Sequence, residues 1–126
     1  MTRAITYATA GDPADVLAAA EIPDPPTPGP GQIQVEVRAF PIHPGDLLGV
    51  SFGPPHPGQR TVAGLEATGV VIATRPGVDT PTVGSRDCVF TKPGSWAQRI
   101  NVAAESLSPC RTLSATTSPR RWFATR

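Results

Sequence analysis

The most regular stretch of the chain is Gln32-Ile33-Gln34-Val35-Glu36-Val37-Arg38-Ala39-Phe40, where Ile33, Val35 and Val37 alternate with Gln34, Glu36 and Arg38. A period of two puts the sets on opposite faces, so a strand is predicted with one face wet and one buried. In Val62–Ala73 the glycines Gly64 and Gly69 bracket a lone carboxylate, Glu66, and Val70-Val71-Ile72 follows as a core strand. Glycine inside a strand pattern marks a bulge or a close backbone approach. Small and apolar neighbours enclose Glu66, so it is expected to be buried and to need a partner. Weaker strand patterns cover Ala4–Ala8, Cys88–Phe90 and Trp96–Val102. Asp15–Ile22 stays open between helix, favoured by its alanines, and strand, favoured by its shortness and the Pro23 stop. Pro44 suits the first turn of a short helix and Asp46 its dipole; Ser51–Pro57 then reads as a loop able to line a cleft.

Composition supports a β-rich chain. Sixteen prolines and twelve glycines make up over a fifth of the 126 residues, against roughly 12% in average usage. They fall between the β-branched runs, as in a barrel or sandwich of short strands. The run Pro23–Gly31 must be extended, because its prolines fix φ and remove donors; a ligand for a Pro-recognising module is its functional alternative. The length suits one domain, and a net charge of +1 gives no bulk reason for nucleic-acid or membrane binding. Met1–Tyr7 lacks the apolar stretch of a signal peptide, and no apolar run approaches the roughly 20 residues of a membrane span, so a cytoplasmic location is expected. Cys88 and Cys110 are too few for a disulfide scaffold.

Several spaced elements together resemble the medium-chain dehydrogenase/reductase superfamily, in its N-terminal GroES-like domain. The signature Gly-x-Glu-x-x-Gly-x-Val is present as Gly64 to Val71. Around it, in the family's order, stand Pro28-Gly29-Pro30-Gly31 before a strand, Ile42-His43-Pro44-Gly45-Asp46-Leu47, Pro76-Gly77-Val78, Val83-Gly84-Ser85-Arg86, Ser95-Trp96-Ala97-Gln98 and Ala103–Leu107. The resemblance covers about Arg3 to Leu107. It implies a mainly β, GroES-like, partially open barrel over residues 1–107 with one or two short helices. It also implies an NAD(P)H-dependent oxidoreductase whose dinucleotide sits in a following Rossmann domain. No Gly-x-Gly-x-x-Gly follows a strand here, so that domain is absent from these residues.

Within the superfamily, His43 stands where zinc-dependent members place a cysteine ligand, and Leu65 replaces a histidine ligand. One ligand does not make a zinc site, so no metal is expected. The zinc-independent quinone oxidoreductases and enoyl-thioester reductases are the closer resemblance. They imply NADPH or NADH as cofactor, a quinone or conjugated carbonyl as small-molecule substrate, and hydride transfer between them. His43 would then take the place of an asparagine near the nicotinamide and donate a hydrogen bond, the alternative being a histidine that ties down its loop. Phe52 falls on the position of the enoyl reductases' tyrosine; lacking a hydroxyl it could wall a substrate pocket but not protonate an enolate. No residue is assigned as catalytic. Gly64, Glu66 and Gly69 are structural in this reading, and Asp46 caps the short helix or orients His43. Trp96 and Phe90 are expected in the core, and His56 in solvent. Arg75 replaces a family glycine of positive φ, a strain of about 1 kcal/mol or more, and Asp87 occupies an apolar strand position that is costly for an unpaired carboxylate.

Residues 108–126 lack both periods and read as an irregular, basic, Ser/Thr-rich tail, with a nucleic-acid or membrane arm as the functional alternative. Read from the third base of the Ser108 codon, permitted codons can spell PVPDALSDDVAAQMV, which resembles the family's link into its Rossmann domain. This points to a frameshift after Leu107 and to an isolated chain without activity. The competing expectation is a non-catalytic remnant that acts at most as a binding module. Apolar surface left bare by the missing half predicts self-association.

Overall fold

In the computed structural model, residues 1–75, 77–79, 81–91 and 94–109 are described. The elements run β1 (Thr2–Tyr7), α1 (Pro13–Val16), β2 (Ala18–Ile22), β3 (Gln32–Ala39), α2 (Pro44–Phe52), β4 (Thr61–Val62), β5 (Glu66–Thr74), β6 (Arg86–Phe90), β7 (Arg99–Ala103), a 3-10 turn (Ala104–Ser106) and β8 (Leu107–Pro109). All pairings are antiparallel, in a three-stranded sheet ordered β2-β1-β4 and a five-stranded sheet ordered β7-β3-β5-β6-β8. Residues 96–98 stitch the sheets together: Ile5 N–H donates to the Trp96 carbonyl at 2.9 Å, Gln98 N–H to Arg3 at 3.0 Å and Val37 N–H to Gln98 at 2.8 Å. The sheets thus curl into the partially open, GroES-like barrel expected.

Alternation decides what faces inward. Ile33 and Val35 of β3, Ala67 and Val71 of β5 and Val89 of β6 are fully buried and form the main core with Ala4, Ala97, Ile100 and Val102. Tyr7, Val50, Ala63 and Trp96 make a second cluster under α2. Gly69 is forced by packing: a Cβ there would overlap the Glu36 carbonyl and Val35, beside the register shift that β3 makes between Val37 and Ala39. The ambiguous stretch divides. Asp12 caps a single helical turn by accepting the Ala14 N–H at 3.0 Å, with Pro13 at its start, and the alanines that follow extend into β2.

The proline-rich loop is fastened to the sheet through side-chain amides. Asn101 Nδ2 donates to the Pro26 carbonyl at 2.8 Å, and Gln34 Nε2 donates to Asn101 Oδ1 at 3.1 Å. Four expectations need correcting. Arg75 carries no positive φ, because the turn places that conformation at Gly77 (φ 96°). Phe90 is 61% exposed, since the alternation that buries Asp87 and Val89 turns it outward. Helix α2 runs through Ser51 and Phe52, leaving a shorter loop. Glu66 is not buried, because the alternation that buries Ala67 turns it to the other face of β5. Asp87 is buried but paired: its Oδ2 accepts the Ser85 hydroxyl at 2.7 Å. Ser108 and Pro109 belong to β8; the rest of the tail, including Cys110, lies outside the described residues. Among the described residues no helix is long and apolar enough to cross a membrane.

Candidate functional site at the mouth of the barrel

The N-terminus of α2 meets the first residue of β5 at one end of the barrel. Gly64 makes this meeting possible. Its φ of 95° is one that side-chain-bearing residues rarely adopt, and Trp96 and Ser95 fill the space a Cβ would need. The Gly64 carbonyl accepts from Gly94 N–H at 2.9 Å, Ser95 N–H at 3.2 Å and the Thr91 hydroxyl at 3.2 Å, which fixes the turn into β5. Period two then does the rest: Ala67 points into the core, so Glu66 points out to the mouth, its side chain 29% exposed.

There it meets His43. His43 is the N-cap of α2, in an extended conformation, with Pro44 opening the helix. Its backbone N–H donates to Asp46 Oδ2 at 2.8 Å, while Asp46 itself is 4% exposed. Asp46 therefore holds the main chain of His43 and caps the helix. The ring is oriented by Glu66 instead, with His43 Nε2 2.7 Å from Glu66 Oε2. An ionised carboxylate only accepts, so Nε2 carries the proton of this bond. About half of the His43 side chain stays exposed to a ligand at the mouth.

Phe52 stands apart from this pair. It lies about two and a half turns further along α2, roughly 13 Å along the axis, and is 79% exposed. His56 is exposed in the loop beyond. Apolar neighbours of the pair are bare as well: Ile42 next to His43, Leu65 next to Glu66, and Phe90, which faces Glu66 across the β5–β6 ladder. Among the described residues no three His, Cys, Asp or Glu side chains cluster closely enough to hold a metal ion. Sequence reasoning named His43, Glu66 and Asp46 but did not join His43 to Glu66, which lies 23 residues away. The outward place of Phe90 was there to be read in the polar Arg86, four residues earlier on the same face.

A family model described as "alcohol dehydrogenase GroES-like domain" matches residues 29–114. Among curated proteins, the chain is 37% identical over 82 residues to the synaptic vesicle membrane protein VAT-1 homolog of Rattus norvegicus, covering 62% of the chain and 20% of that protein. It is 42% identical over 81 residues to a mycocerosic acid synthase-like polyketide synthase of Mycolicibacterium smegmatis, covering 63% of the chain and 4% of that protein. The solved quinone oxidoreductase of Escherichia coli, complexed with NADPH, superposes with a TM-score of 0.75 at 30% identity, covering 94% of this chain and 35% of that one. The chain thus spans about a fifth of the VAT-1 homolog and about a third of the quinone oxidoreductase. With the signature turn at Gly64, the curled sheet and a family match over more than half its length, the chain belongs to the alcohol dehydrogenase GroES-like domain family of the medium-chain dehydrogenase/reductase superfamily.

Proposed function

We propose that the chain forms the substrate-side domain of a zinc-independent, NAD(P)H-dependent oxidoreductase that reduces a quinone or a conjugated carbonyl compound. The observation that carries this reading is the His43–Glu66 pair: an exposed imidazole, held by a carboxylate at 2.7 Å, at the mouth of the barrel. Bound NADPH or NADH supplies the hydride, and most of its binding site belongs to a Rossmann domain beyond these residues. The contribution of this chain is polar and steric. With Nε2–H engaged by Glu66, His43 meets the nicotinamide or the acceptor carbonyl through Nδ1, which donates a hydrogen bond only in the imidazolium form. Glu66 sets the ring's angle, and Asp46 fixes the backbone from which the ring projects. Ile42, Leu65 and Phe90 keep water from the reacting atoms once the second domain closes over them, and Phe52 walls the pocket further out. Neither nucleic acid nor a membrane is a partner in this reading, the location is cytoplasmic, and the bare mouth promotes self-association of the isolated chain.

The test is a chimera in which residues 1–107 replace the matching segment of the Escherichia coli quinone oxidoreductase. NADPH-dependent quinone reduction is expected, falling roughly 10- to 100-fold in His43→Ala, the order of one lost polar contact in the transition state. A folded chimera that binds NADPH but reduces neither quinones nor enones overturns the reading. For the isolated chain no NADPH turnover is expected, and measurable turnover contradicts its dependence on a second domain.

A further inference from the structure

A second concavity, lined by neither His43 nor Glu66, lies where β1, residues 96–98 and the end of β3 run side by side. It is open to solvent, measures about 340 Å³ and is lined largely by apolar groups, including Ala4, Ile5, Val37 and Ala97. That volume sits at the lower end of the ~300–1,000 Å³ typical of small-ligand sites. One wall is aromatic: Phe40 stacks on Trp96 with ring centroids 5.3 Å apart and planes 25° from parallel. Trp96 is 3% exposed, and its indole Nε1 is a buried donor with no acceptor among the described residues.

Polar groups of one sense converge on the same cavity. Arg3 and Arg38 are among its lining residues, with side chains 70% and 64% exposed. Their partners are solvent-exposed carboxylates, Glu21 at 3.6 Å and Glu36 at 3.0 Å. Such exposed pairs contribute about 0–1 kcal/mol and exchange readily for a better-placed anion. Gln98 also lines the cavity; its Oε1 accepts the Arg3 N–H at 2.9 Å, leaving its NH₂ to donate elsewhere. An apolar concavity with an aromatic wall and two arginines among its lining residues suits an apolar body ending in an anion.

We propose that this cavity is a binding site for a small amphipathic carboxylate, an aryl or medium-chain acyl acid, whose tail packs against Phe40 and Trp96 and whose carboxylate is held by Arg3 and Arg38. The site is independent of the redox reading, because it uses neither His43 nor Glu66. The experiment titrates decanoate into the full 126-residue chain carrying Trp122→Phe, so that Trp96 is the remaining tryptophan and reports on the cavity. A saturable change in its emission is expected, with a Kd on the order of 0.1–1 mM for a ligand of this size. Decanol should bind roughly tenfold more weakly, the order of one charge-assisted bond, and Arg38→Ala should lower decanoate affinity by a similar factor. Ala39→Phe, at an exposed position on the cavity wall, should block binding with the circular dichroism spectrum unchanged. Lack of saturation, equal affinity for decanol and decanoate, or undiminished binding by the folded Ala39→Phe protein each overturns the proposal.

Discussion

The inner face of the five-stranded sheet and the mouth of the barrel are made of similar residues put to opposite use. Inside, Ile33, Val35, Ala67, Val71 and Val89 are each 0% exposed. At the mouth and along α2, Ile42, Leu48, Phe52, Leu65 and Phe90 are 40% exposed or more. The difference separates folding from assembly. The first set closes a core from this chain alone, while the second is an apolar rim of the kind that meets another surface. Changes inside should therefore appear as lost stability, and changes at the rim as altered association.

The largest effect is expected at Gly64, where any side chain meets both a strained φ and the Trp96 ring. Gly64→Ala should destabilise by roughly 3 kcal/mol or more, combining left-handed strain with overpacking, a large part of a small domain's total. An unchanged urea midpoint would show that the turn into β5 is not fixed as described. Val71→Ala, in the closed core, should cost about 2 kcal/mol, with the slope of the urea transition unchanged. At the rim, Leu48→Ser with Phe52→Ser, both exposed on α2, should shift stability by less than about 0.5 kcal/mol yet reduce self-association in light scattering. A double variant that unfolds would erase the distinction between the two regions.

The smallest effect concerns Asp24, about half exposed. The Thr2 hydroxyl donates to it at 2.7 Å and the N-terminal ammonium at 3.2 Å, and together with Arg99 they hold its carboxyl below the usual carboxylate range. A carboxyl lowered in the fold stabilises above its unfolded pKa, and that stabilisation is lost as pH falls through the lowered folded value. Thr2→Val should therefore be slightly less stable than the parent at neutral pH and equal to it in strong acid, as followed by urea unfolding. A gap that persists in acid would assign the loss to packing at Thr2 instead.

The strands were legible wherever alternation was strong. Ile33, Val35 and Val37 announced β3, and Gly64 to Val71 announced both β5 and the family. What escaped depended on pairing between distant segments. Neither the approach of His43 to Glu66 nor the contact of Phe40 with Trp96 has any signature along the chain. Glu66 was misjudged because its small neighbours suggested enclosure, although the period of two that buries Ala67 sends it outward. Arg75 was misjudged by two positions in the turn, since Gly77 adopts the left-handed conformation expected at Arg75.

The bracket formed by Gln34, Asn101 and the Pro26 carbonyl bears on how the barrel's edge is finished. Nine residues with five prolines, 23–31, cross that edge. A proline-dense strap surrenders little freedom on folding, because its φ angles are already restricted in the denatured chain. The two amide clasps on Pro26 and the contacts to Asp24 then keep it seated, where a glycine-rich span of equal length would cost more entropy to still. Stiffness lets a modest grip suffice, and a protease should find the strap a poor place to cut.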